Sequence, residues 1–334
     1  MMTGLFLLSA LWGQAQKRPQ FVYGINGHPL TQEAYRGNTA TQIRLLKQLN
    51  CRFYRVDVPI DSAGNVADPG AFTSLLNQLK SNGIRLLPVL VFNGSAYAER
   101  TPEKAYANGL AYGRAFARRY KAYFDYYEVG NEEDNQTIVG QVHGNLPEHF
   151  DTPKMQAVTP YVKGVCAAIK AEDPTATLII NFTWVHYGFL EKLSQSKVLF
   201  DRVGFHWYSD MGDLRKANTG FGNVIDTISR LFKKPIWVTE LNVRGGVPTG
   251  ADVTKENWLR RNLSFLRRNR SVEAAFIYEL FDQPAFADAS VGRAYNPSEA
   301  AYGLGAWLGN GRVYKTVKEK PLFYQYKAFI KANP

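Results

Sequence analysis

The chain has 334 residues, 45% of them hydrophobic and 21% charged, the balance of a globular fold and not of a disordered or fibrous chain. Its formal charge of +11 raises nucleic acid, anionic surfaces and acidic polymers as partners. No dense Lys/Arg stripe accompanies that charge: "RRNLSFLRRNR" (260–270) and "RLFKKP" (230–235) read as ends of amphipathic helices on a generally basic surface, so no nucleic-acid partner is expected.

The N-terminus, "MMTGLFLLSALWGQAQKRPQ", places a short apolar run at 4–12 ahead of the small residues Gly13 and Ala15. That is the pattern of a signal peptide over 1–15, without the usual basic residue before the run, and it predicts a secreted or periplasmic protein. The run is too short for a membrane span, and none is expected elsewhere. From residue 20 to 334 one theme repeats. Strands are predicted at 21–25, 52–58, 84–92, 124–130, 176–182, 201–208, 235–241 and 274–281. Helical patterns fall between them, at 39–49, 69–83, 102–120, 152–172, 187–196, 221–232 and 255–269, and a last helix at 323–332 closes the chain. Parallel strands need crossover helices, so this alternation predicts an α/β fold with a parallel sheet. Eight units over this length predict a single-domain (β/α)8 TIM barrel, expected as a monomer. The first turn, "YGINGHPL", has neither GxGxxG nor GxxxxGK[ST], which disfavours a nucleotide-binding open sheet. Cys51 and Cys166 are the two cysteines; their spacing gives no reason to expect a disulfide, and no Cys/His cluster has ligand spacing, so no metal or cofactor is expected.

The active site of a parallel barrel lies where strand C-termini meet their loops. The polar residues there are Arg55 and Asp57 on the second strand, Asn93 after the third, and Asn131 and Glu132 after the fourth. His206, Trp207 and Tyr208 end the sixth. Glu240 ends the seventh, with Asn242 beyond it, and Tyr278 and Glu279 fall on the eighth, near Asp282. "YEVGNE" and "IWVTE" each carry an apolar strand to a single glutamate, and the fourth and seventh strands stand far apart around the ring. Two carboxyl groups facing each other across a pocket are the machinery of glycoside hydrolysis. At about 5–5.5 Å the reaction retains configuration; at about 6.5–9.5 Å it inverts.

The strand-4 Asn-Glu pair, the strand-6 His-x-Tyr and the lone strand-7 Glu resemble the retaining glycoside hydrolases of clan A, closest to families 39 and 5, over nearly the whole chain. The resemblance implies Glu132 as acid/base and Glu240 as nucleophile. It further implies Asn131 as donor to the sugar 2-hydroxyl, His206 and Tyr208 as groups that hold and tune the nucleophile, and Arg55 as the cation that keeps it ionised. On the same reading Glu240 stays charged and Glu132, beside that charge, holds its proton. The chain departs from the pattern at Gly130, where Trp is frequent, at Glu133, where Pro is frequent, and on strand 8, which offers no Trp.

Other residues read more simply. Glu133 and Asp134 fit a solvated loop. Glu128 shares the parity of Glu132 and is expected to point into the barrel toward a buried base. His28, His143, His149 and His186 read as surface or minor site residues, and Trp184, Trp207, Phe281 and Trp307 as packing before sugar platforms. A non-hydrolytic glycan-binding barrel is the alternative, and the presence of both glutamates argues against it. An aldolase would want a strand-end Lys and a metallohydrolase a His-x-His near the first strand; neither is present. The expected partner is a carbohydrate.

Overall fold

A computed structural model describes residues 20–92, 94, 101–217, 220–247, 250, 252–291, 295–308 and 314–334. Asn93 and residues 1–15, where a leader is expected, lie outside them. Eight parallel strands close into one barrel in chain order. They are β1 (Val22–Gly27), β2 (Phe53–Val58), β3 (Arg85–Leu90), β4 (Tyr126–Val129), β5 (Thr177–Thr183), β6 (Arg202–Tyr208), β7 (Ile236–Asn242) and β8 (Val272–Ile277). The helices are α1 (Thr39–Leu49), α2 (Pro69–Ser81), α3 (Pro102–Tyr120), α4 (Glu133–Thr137), α5 (Pro153–Glu172), α6 (Tyr187–Gln195), α7 (Val224–Phe232), α8 (Val253–Arg268) and α9 (Pro321–Ala332). Asp68, Thr152, Asn223 and Asp252 cap four of these N-termini by accepting from a backbone N–H of the first turn. A two-stranded antiparallel ribbon, Gly305–Leu308 with Thr316–Glu319, follows β8. No helix of the described residues is long and apolar enough to cross a membrane.

Strand alternation sorts the barrel interior into layers. At the N-terminal end Phe53, Trp237 and Phe276 pack ring on ring, with centroids 5.6 Å apart for Phe53–Trp237 and 5.8 Å for Trp237–Phe276. A Cβ at Gly24 would stand 2.2 Å from the Phe276 ring, so glycine there makes room for the plug. Truncating such a ring to alanine costs roughly 3–5 kcal/mol. One layer up, the same faces turn polar: Asn26, Arg55, Glu128, Asn181 and His206 are all buried. The uppermost layer opens on the mouth with His28, Asp57, Thr183, Tyr208, Glu240 and Tyr278.

Alternation alone would send Glu240 outward, because Trp237 and Thr239 of the same strand face in. Both neighbours of β7 show a register shift at this point: Phe205 pairs with Val238 but His206 with Glu240, and Ala275 with Val238 but Ile277 with Leu241. One extra residue on β7 forms a bulge, and Thr239 and Glu240 both reach the interior. The eighth strand ends earlier than its sequence suggests, at Ile277, so Tyr278 and Glu279 sit just past it; the peptide bond between them is cis.

Candidate active site

The site is built upward from Arg55. Its Nε donates to Glu128 Oε2 at 2.5 Å, Nη1 to Asn26 Oδ1 at 2.8 Å and to Glu240 Oε1 at 2.7 Å, and Nη2 to Asn131 Oδ1 at 2.7 Å. Glu128 is fully buried, and its other oxygen accepts from Asn181 Nδ2 at 2.7 Å and Thr239 Oγ1 at 2.8 Å. Burial opposes the Glu128 charge, but Arg55 and His206 outweigh it and hold the carboxyl at about 2. The expectation that Glu128 points inward onto a base therefore holds. Tyr208 donates to Glu240 Oε2 at 2.5 Å, so both oxygens of Glu240 accept hydrogen bonds. Burial lifts the Tyr208 phenol well above its ordinary value, with Glu240 adding to the rise, so it remains a donor.

Glu132 follows β4 after a left-handed turn. Gly130 has φ +80°, and a Cβ there would meet Glu133 Cγ at 2.9 Å and Phe92 at 3.2 Å. The tryptophan frequent at this position in the resembled clan is thus excluded by backbone conformation and space together. Glu132 itself has φ 53°, a left-handed conformation rare for a long side chain. Its N–H donates to Asn181 Oδ1 at 2.7 Å, which fixes the turn to the polar layer below. Its Oε1 lies 2.8 Å from His206 Nδ1, and its Oε2 accepts from Asn135 Nδ2 at 2.9 Å.

Glu132, His206 and Glu240 present ligand-type atoms that all lie within 4.8 Å of one another. Both Glu240 oxygens are occupied by donors and His206 faces Glu132, so the trio forms a proton-sharing set. Burial pulls the His206 pKa down, but Glu240, Glu128 and Glu132 together raise it to about 10. That changes one expectation. Burial raises Glu132, yet its hydrogen bond to His206, the histidine charge and Arg55 lower it overall. The proton expected on Glu132 resides on its partner His206 in the free protein, because the imidazole lies among three carboxylates.

Opposite this pair, His28 Nδ1 lies 2.7 Å from Asp57 Oδ2 and Nε2 lies 3.4 Å from Glu279 Oε2. Burial lowers the His28 pKa, but Asp57 and Glu279 raise it to about 9. Glu279 is fully buried and also accepts from Tyr35 and Gln283; desolvation pushes it up to about 7. It sits beneath the cavity wall, whereas its neighbour Tyr278 lines the wall. Trp207 does not reach the cavity: it is fully buried and its indole N–H donates to the Gly212 carbonyl at 3.0 Å. Burial, strand parity and that hydrogen bond make it packing in place of a substrate contact.

Glu133 and Asp134 are likewise corrected. Both are buried, in α4, and not in a solvated loop. Asp134 Oδ2 lies 2.6 Å from His186 Nδ1 and accepts from Thr183 N at 3.1 Å; desolvation pushes Glu133 up to about 8. The cavity, about 690 Å³, is also lined by Trp184 and His186, read from sequence as packing and as a surface or minor site residue, and by Asp210, Met211, Arg244 and Glu299, which lie beyond the strand ends. Arg244 stands 4.5 Å over the Tyr208 ring, donates to Asp210 at 3.1 Å and to Tyr302 at 2.8 Å, and so ties three loops together on the Glu240 side of the cavity. Its spacing of four residues after Glu240 was the available signal.

A family model described as "Glycosyl hydrolase catalytic core" matches residues 161–296. That segment contains His206, Tyr208 and Glu240; Glu132 lies before it, and its place rests on the geometry. Comparison with curated proteins gives no match. Among solved structures, the chain is similar to a family 1 β-glucosidase from Thermotoga maritima, with a TM-score of 0.69, 13% identity, and 94% of this chain and 98% of that one covered. It is also similar to a family 39 glycoside hydrolase from the gut symbiont Bacteroides cellulosilyticus WH2, with a TM-score of 0.66, 17% identity and coverage of 93% and 63%. The fold is thereby defined: a (β/α)8 barrel. Over residues 161–296 the chain is similar to a glycosyl hydrolase catalytic core.

Proposed function

We propose that the protein hydrolyses a β-linked glycoside with retention of configuration, with Glu240 as nucleophile and Glu132 as acid/base. The observation that carries this reading is the approach of the two carboxylates, with oxygens within 4.8 Å across one cavity. An oxygen-to-oxygen approach of 4.8 Å or less supports the close carboxylates of a retaining enzyme, about 5–5.5 Å, over the about 6.5–9.5 Å of an inverting one. A Glu240 oxygen attacks the anomeric carbon while the C–O bond to the leaving group breaks. The leaving oxygen takes the proton shared by Glu132 and His206. Water then attacks the glycosyl-enzyme, returns a proton to that pair and frees Glu240. Arg55 and Tyr208 hold Glu240 in line, and Asn131, fixed by Arg55, faces the sugar.

The β preference rests on the likeness to a β-glucosidase and on the clan resemblance. Export and the removal of residues 1–15 remain part of the proposal, as does action on poly- or oligosaccharide. The test is a panel of aryl β-glycosides with Glu132→Ala and Glu240→Ala. Glu132→Ala lowers kcat on poor leaving groups roughly 100- to 10,000-fold and much less on activated ones. Glu240→Ala is inactive until azide is added, and then releases a glycosyl azide of inverted configuration. Wild-type rates in both variants would refute the assignment. A wild type that cleaves nothing across a broad panel would favour the glycan-binding barrel.

A further inference from the structure

The charge of this molecule is divided between its two ends. In the closed parallel barrel every strand begins, and every helix of nine residues or more ends, on the face opposite the mouth. Each helix of nine residues or more carries Lys or Arg in its last turn. Cations there complement helix dipoles, and that accounts for about one base per helix. It does not account for the exposed Arg52, Lys121, Lys233 and Arg270, which lie between a helix end and the next strand on the same face.

The acids of this face, among the described residues, are Asp125, Glu172, Asp173, Asp201 and Glu273. Asp125 pairs with Arg85, Glu172 with Arg118 at 2.7 Å, Asp201 with Lys170 at 2.8 Å and Glu273 with Arg202 at 2.8 Å. Asp173 accepts from the Thr175 hydroxyl at 2.7 Å. Asp173, held by a neutral hydroxyl, keeps its charge and stands against six exposed cations, Arg52, Arg119, Lys233, Arg268, Arg270 and Lys331. The mouth lacks such a surplus: Asp57, Glu132, Asp210, Glu240 and Glu299 line it, against His28, His206, Arg244 and Arg55. Among the described residues the excess positive charge is therefore concentrated at the base of the barrel, and it gives no reason to expect an anionic sugar in the site.

We infer that the base of the barrel is a docking surface for a polyanionic polysaccharide, a polymer with repeated carboxylate groups, which leaves the catalytic mouth facing away from it. A field of like charges spread over a flat face attracts such a chain through many weak, salt-screened contacts. A membrane surface fits less well. The large apolar side chains exposed on this face, among the described residues, are Leu199 and Leu231, with no Trp or Phe to insert at an interface. The inference does not depend on which residues catalyse.

The experiment measures binding of the full chain to polygalacturonate, with phosphatidylserine vesicles as the second arm. Wild-type affinity should fall roughly tenfold or more between about 50 mM and about 250 mM NaCl. The base variant Lys233→Glu/Arg268→Glu/Arg270→Glu should lose roughly tenfold at low salt. The mouth-side variant Lys104→Glu/Lys154→Glu/Lys216→Glu, exposed and with the same change in net charge, should lose less than about twofold. Thermal unfolding checks that both variants fold. Equal losses in the two variants would mean net charge alone and overturn the surface. Unchanged binding by the base variant, or capture by the vesicles without binding to polygalacturonate, would overturn it as well.

Discussion

In the proposed mechanism, proton transfer turns on His206. It touches Glu132 through Nδ1 at 2.8 Å and lies 3.6 Å from Glu240 Oε1, with a pKa raised to about 10. The pair can therefore keep its proton well above neutrality. Replacing it by asparagine, His206→Asn, leaves Glu132 to hold the proton alone, and the alkaline limb of kcat/KM on aryl glycosides is expected to move down by more than about one pH unit. An unmoved limb would mean that His206 only positions its neighbours. Glu133 offers a cleaner stability test. Its folded pKa, about 8, stands above the ordinary 4.5 because the carboxyl is buried. The neutral form suits the fold, so its contribution is present below about 4.5 and is lost as pH rises through about 8. Glu133→Gln removes that titration, and its Tm should gain on the wild type between about pH 5 and about pH 9. A constant difference across that range would contradict the burial argument.

At the level of elements, the strands and helices were legible because each repeats a strong period. Predicted α1 and α3 match the observed bounds, Thr39–Leu49 and Pro102–Tyr120. The pairing of Asn131–Glu132 with Glu240 was legible because each stands at a strand end, where a barrel puts its site. Three things were not legible. The bulge at Thr239 depends on register with both neighbouring strands, which no local pattern encodes. The burial of Glu133 and Asp134 depends on α5 and β5 packing over a helix of five residues, whose acids look solvated when read alone. Trp207 follows His206 in sequence but occupies the opposite face of β6, so its burial follows from parity that a motif reading overlooks. The polar layer carries its own prediction. Glu128→Ala strips Arg55 of its closest partner inside the barrel, at 2.5 Å. An uncompensated buried charge costs about 3–5 kcal/mol, to be read from denaturant unfolding. A loss below about 1 kcal/mol would show that Arg55 is supported by Glu240 and the asparagines alone.

For the whole molecule, the buried ionisable groups combine into a pH profile. Glu128, depressed to about 2, contributes stability that is present above about 4.5 and lost as pH falls toward 2. His28 and His206, raised to about 9 and about 10, contribute below about 6.5 and lose it as pH rises through those values. Glu279 and Glu133, raised to about 7 and about 8, add to the alkaline loss. Tm should therefore peak near about pH 4.5, where Glu128 is ionised while Glu279 and Glu133 are still neutral, and decline on both sides; a plateau extending to pH 9 or so would contradict the assigned protonation states. On the proposed reading these groups, with the polar layer beneath them, serve one arrangement, Glu240 and Glu132 with oxygens 4.8 Å or less apart. The most direct test is to trap the intermediate it implies. Incubation with 2-deoxy-2-fluoro-β-glycosyl fluorides of several sugars, followed by peptide mapping, should place one fluoroglycosyl group on Glu240, with none on the Glu240→Ala variant. A label on any other residue, or turnover of the same sugars with inverted configuration and no label, would contradict it.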